Sequence, residues 1–146
     1  MRSLAYVLGL VAGFGLTVQV GMNSQLRRVL QSANSAALIS FLVGTVGLIA
    51  LLLATRSPLP ERATLAAVPW WAWFGGLLGA FYVAGSTVVA AELGTASLLG
   101  LTLAGQLATA LVIDHFGWLG MPEHPITWVR AAGVVLLASG VWLITR

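Results

Sequence analysis

Long stretches without a charged residue constrain this chain more than any other feature. Residues 3–26, 29–55, 63–91 and 93–113 contain no Asp, Glu, Lys or Arg. Each is about as long as a bilayer-crossing α-helix, roughly 20 residues. A fifth run, 131–145, reaches that length if the Arg130 side chain snorkels to the interface. Inside a bilayer every backbone N–H and C=O must bond internally, which leaves helices or closed barrels. A barrel needs short alternating strands, and nothing here alternates strictly. Of 146 residues, 59% are hydrophobic and 8% charged, with a mean hydropathy of +0.97. No soluble domain of this size could cover its surface with so little charge. The chain is therefore read as all-α: one domain, 1–146, an integral membrane bundle of five transmembrane helices at about 3–26, 36–54, 69–91, 95–113 and 126–144.

The same composition excludes several function classes. Cysteine is absent, so disulfides, haem attachment and thiolate metal sites are impossible. Seven Arg face four acids, but the longest basic run is Arg27-Arg28, too short for a nucleic-acid face. Asp114, His115, Glu123 and His124 straddle Gly and Pro turns rather than sitting at i, i+4 on a helix, so no metal is expected. No cofactor is expected either. The helices carry no spaced acid, nucleophile or metal constellation, which argues against an enzyme. Arg2 before an apolar run resembles a signal peptide, but the run is too long for one, and Gln19 and Asn23 interrupt it.

The fourth segment is the most informative. In Leu99–Gly120, Thr102, Gln106 and Thr109 fall at i, i+4 and i+7 and share one helical face. Gly100, Ala104 and Ala108 form a seam of small residues where another backbone can approach. A primary amide in mid-membrane needs a partner, because lipid offers none. In the first segment, Gly9 and Gly13 form a GxxxG pair, and Gln19 and Asn23 are i, i+4. These amides either mark the interfacial end of the helix or line a solvated cavity. Arg27-Arg28 and Gln31 to Ser35 form the first turn, with Asn34 or Ser35 capping the second helix. There Ser40, Gly44 and Gly47 suit close helix packing, and Ser40 could also bond a ligand.

Arg56 to Arg62 is a loop, and Pro69 suits the first turn of the third helix. Trp70, Trp71 and Trp73 form an aromatic belt, or one of them faces inward to stack on a substrate. Gly75, Gly76 and Gly79 imply tight packing of that helix. Gly94 ends it, and Glu92 beside that end is read as interfacial and solvated. Asp114, stranded at a helix C-terminus, pairs with Arg130 at the start of the fifth helix. Numbering five crossings puts Arg2, Arg56, Arg62 and Arg130 on one side and Arg27, Arg28 and Arg146 on the other. Four against three gives the positive-inside rule almost nothing to act on. Such a chain can insert both ways and pair antiparallel with a second copy, building the inverted repeat that transporters use.

Gln19 and Asn23, Ser40-Phe41-x-x-Gly44, Trp73-x-Gly75-Gly76-x-x-Gly79, and Gly105-Gln106 followed by Asp114-His115-Phe116-Gly117 resemble the YdcZ-like proteins. These are five-helix members of the drug/metabolite transporter superfamily. The resemblance implies a bacterial inner-membrane location and relatives that act as homodimers, paired heterodimers or fused chains. The superfamily's four-helix members carry a membrane-embedded Glu in their first helix, where this chain has Gln19 and no acid.

The leading expectation is a transporter of a small organic metabolite, working in the lipid bilayer as an antiparallel dimer. Gln19 and Gln106 would be its central pair, with Asn23, Ser40, Thr102 and Thr109 around them, Trp73 as a wall, and Asp114–Arg130 as an ion pair or gate. Amides rather than charges favour a neutral or weakly charged substrate. The alternative is a non-transporting membrane subunit that packs against a partner protein, since glycine seams report helix contact and not flux.

Overall fold

The computed structural model describes residues 2–146; Met1 and the side chain of Arg2, one of the arginines counted above, lie outside the described residues. Every regular element among the described residues is helical. The chain forms two compact units, 1–88 and 89–146.

The first unit opens with α1, Arg2–Leu30, and α2, Ala33–Ala54. At about 1.5 Å per residue α1 is roughly 43 Å long, more than a ~30 Å hydrocarbon core requires. It runs through Arg27 and Arg28 rather than turning there. Arginine is a good helix former, and cations are favoured at the negative end of the helix dipole. Arg28 Nε donates to Gln25 Oε1 at 3.1 Å, and Gln31 Nε2 donates to the Arg28 carbonyl at 2.6 Å, which ties down the last turn. Gln31 then takes a left-handed φ of 53°. The cap of α2 is Ser32, not Asn34 or Ser35: its Oγ accepts the Ser35 N–H at 3.2 Å. Because α1 continues to Leu30, the connection is too short for the cap to lie later.

So short a connection makes α1 and α2 an antiparallel hairpin, and the two pack together. A five-residue helix, α3, Arg62–Ala66, interrupts the following loop. Pro69 precedes a 3-10 turn, Trp70–Phe74, rather than opening an α-helix, and α4 begins only at Gly75. Tight 3-10 turns are frequent at helix N-termini. The unit holds α4 as far as Val88. Val20 and Asn23 of α1, Ala36 and Ala37 of α2, and Val83, Ser86 and Thr87 of α4 are buried. Of the glycines expected to pack tightly, Gly79 meets the Phe41 ring, 3.4 Å from where its Cβ would stand. The space above Gly9, Gly13, Gly44, Gly47, Gly75 and Gly76 is open.

The second unit holds the last turn of α4 (Gly75–Leu93 in all), then α5, Thr95–Phe116, and α6, Trp128–Ile144. Glu92 is exposed. Gly94, at φ 81°, donates its N–H to the Ala90 carbonyl at 3.1 Å and ends α4. α5 packs along α6, most closely where Val141 Cγ2 comes within 3.2 Å of a Cβ position at Gly100. Of the small-residue seam, Gly100 makes this approach while Ala108 stays exposed. Four helical stretches are long and apolar enough to cross a membrane: Ser3–Leu30, Ala33–Ala54, Trp70–Leu93 and Thr95–Phe116. α6 is apolar but has 17 residues, about 26 Å at the usual rise.

Candidate functional site: the polar faces of the membrane helices

In the α1–α2 hairpin, Asn23 lies seven residues before Leu30 and Ser40 seven after Ala33. Both therefore stand about 10 Å from the turn, at one level of the pair. Asn23 is 3% exposed, and among the described residues its amide makes no hydrogen bond. The amide keeps some access, since it is not among the fully buried polar atoms left without a partner. Gln19, one turn deeper, and Ser40 are half-buried and also unbonded among the described residues. Ser24 carries a buried oxygen without a partner.

Other hydroxyls in this unit behave differently. Thr17 bonds the Gly13 carbonyl, Thr45 that of Phe41, Ser86 that of Val83 and Thr87 that of Ala84, at 2.8–3.1 Å. Such back-bonding satisfies a hydroxyl locally; Ser24 does not use it. Sequence reasoning passed over Ser24 and Arg27. The signal was the i, i+4 spacing of Gln19 and Asn23, which continues one turn further to Arg27. Trp73 is 59% exposed on its 3-10 turn, six residues ahead of the Gly79–Phe41 contact, and is not brought to the Asn23 level. An apolar groove of about 510 Å³ runs between α2 and α4, lined by Ala37, Phe41, Leu77 and Phe81, with Asn34 as its polar member.

In the second unit, α6 defines which way α5 faces. Gly100, Leu107, Leu111 and Asp114 lie on the α6 side, by the Val141 contact and by a groove of about 440 Å³ shared with Arg130, Gly133 and Leu137. At about 100° per residue, Thr102, Gln106 and Thr109 lie on the opposite side of the helix. Gln106 and Thr109 are exposed; Thr102 is half-buried and donates to the Leu98 carbonyl at 2.8 Å. Neither Gln106 nor Thr109 has a side-chain partner among the described residues. The amide that the sequence marks as needing a partner does not find one on α6.

The end of α5 is tied to the following segment by contrast. Asp114 Oδ2 meets Arg130 Nη2 at 2.5 Å, with side chains 24% and 35% exposed. Arg130 Nη1 donates to the His124 carbonyl at 2.7 Å, and the His124 N–H donates to the Asp114 carbonyl at 2.7 Å. His115 Nδ1 accepts the Ile126 N–H at 3.3 Å, which occupies the lone pair a metal would need. Among the described residues no group of three or more His, Asp or Glu could hold an ion. Phe116 stacks on Trp118 at 5.2 Å. Gly117 turns the chain with a left-handed φ of 61°, and Glu123 Cγ lies 2.7 Å from where its Cβ would be. The Asp-His-Phe-Gly run is thus the last turn of α5 and its left-handed cap, tied to the segment that leads into α6.

The family model described as "Putative inner membrane exporter, YdcZ" matches residues 4–143. The chain belongs to this family. It is similar to the inner membrane protein YdcZ of Escherichia coli strain K12, with 30% identity over 148 residues, covering 99% of this chain and 97% of the relative. No solved structure matches the chain. Family and helices together make this a multi-pass inner membrane protein, of a family of exporters rather than enzymes.

Proposed function

We propose that the chain transports a small organic metabolite, with two copies paired antiparallel and working by alternating access. The observation that carries this reading is the α5 stripe: Gln106 and Thr109 are exposed on the side away from α6. A primary amide left facing lipid costs several kcal/mol, so the stripe calls for a polar surface from outside the helix pair. A second copy supplies one, and the path between copies holds the solute. The open space above Gly9, Gly13, Gly44 and Gly47 favours the same reading, since it leaves room for another backbone. In this reading α6 is a fifth crossing, made possible by the Asp114–Arg130 pair that neutralises both charges at its mouth. Gln19, Asn23, Ser40, Thr102, Gln106 and Thr109 line the path and Trp73 forms a wall, while Asp114–Arg130, on the α6 side of α5, serves as an ion pair rather than a gate.

The open glycine seams suit a packing subunit equally well, and flux separates the two readings. Purified chain in vesicles that moves solute unaided is a transporter; no flux until a partner protein is added makes it a subunit. Topology tests the antiparallel pair. A single cysteine added after Arg146, in a chain with none of its own, should react with an impermeant thiol reagent in about half the molecules of intact cells, given the near-even arginine balance. Labelling from one side in every molecule overturns the homodimer. Gln106→Leu should abolish flux and leave the pair assembled; retained flux removes Gln106 from the path.

A further inference from the structure

We propose that Arg27, with Asn23 and Ser24, forms an anion-binding subsite on α1, and that the substrate therefore carries a carboxylate or similar small anionic group. The sequence expectation of a neutral or weakly charged substrate rested on amides rather than charges at the site, with Arg27 read separately as part of the first turn. α1 instead continues to Leu30, which puts Arg27 four residues past Asn23 and about 40° around the helix from it. Val20 and Asn23, both buried, share that face. Arg27 is half-buried there, whereas Arg28 is exposed.

The two arginines differ in their partners as well. Arg28 is tied to Gln25 and answers the helix dipole at the surface. Arg27 has no hydrogen-bonded or ion-pair partner among the described residues, where the one ion pair is Asp114–Arg130. A cation drawn off the surface without a counter-charge is unfavourable unless an anion comes to it. One turn deeper, Asn23 is 3% exposed with its amide unbonded, and Ser24 Oγ is buried without a partner. Guanidinium, amide and hydroxyl together offer several donors and no negative charge, the set that suits a carboxylate whose body extends toward Gln19. The stack starts about 5 Å from the α1 end, at the mouth of the path proposed above, and as a statement about substrate it rests on that reading.

The test uses purified chain in phosphatidylcholine vesicles, with short mono- and dicarboxylates and their neutral amides as probes and thermal unfolding as the readout. Carboxylates should raise the unfolding temperature and the matched amides should not. Arg27→Gln should weaken carboxylate binding about tenfold or more, Arg27→Lys should keep part of it, and Arg28→Gln should leave it unchanged. Equal effects of carboxylates and amides, or equal losses in the Arg27 and Arg28 variants, overturn the proposal. So does stabilisation that appears with phosphatidylglycerol vesicles alone and vanishes in Arg27→Gln, which makes Arg27 a lipid-headgroup contact. Carboxylate binding without flux leaves the subsite standing and overturns the transport reading instead.

Discussion

The two helical hairpins use polar residues in opposite ways. In α5–α6, Asp114 pairs with Arg130, the His124 backbone bonds both of them, and His115 accepts the Ile126 N–H, while the remaining polar stripe points away from the partner helix. In α1–α2, Asn23 is buried and Gln19, Ser24 and Ser40 are half-buried, and none of these side chains has a bond among the described residues. A buried polar group that is fully paired fixes a structure, whereas one left unpaired lowers stability. The second hairpin thus spends its charges on its own geometry. The first keeps donors in reserve, which suits binding something that is not part of the chain.

Packing is where this contrast is easiest to break. Gly100→Leu should drive a side chain into Val141 and destabilise the α5–α6 pair by about 2–3 kcal/mol, read as a lower unfolding temperature in detergent. Gly105→Leu, in open space, should cost no more than the loss or gain of helix propensity. Equal effects would mean that α5 is not held to α6 at Gly100.

A smaller effect is expected at the ion pair. Asp114→Asn should cost about 1–2 kcal/mol, the lower part of the range for a charged hydrogen bond because both side chains keep some solvent contact. Added salt should narrow the gap between this variant and the parent chain. A null result would make the pair irrelevant to the connection.

The mildest stability change sharpens the comparison most. Asn23→Leu should leave stability unchanged or raise it by up to about 1 kcal/mol, because an unpaired amide is replaced by an apolar group. The same variant should lose flux. Destabilisation by 2 kcal/mol or more would mean that Asn23 is a structural residue with a partner.

Much of the architecture was legible because membrane physics writes directly into sequence. Long uncharged runs can exist in few environments, and Gly94 ends a helix as its lack of a side chain suggests. What the sequence could not decide were matters settled by contacts between helices. Arg27 reads as a turn residue until α1 is seen to continue through it, because helix ends depend on caps and tertiary anchoring more than on propensity. The Ser32 cap and the 3-10 turn under Trp70–Phe74 were displaced from expectation for the same reason. The polar stripe on α5 was determined by spacing alone, since 3.6 residues per turn leaves no other face for Thr102, Gln106 and Thr109. That α6 covers the far side of α5 was decided only by packing, because small residues at Gly100 and Gly133 allow one helix to lie against another without saying which.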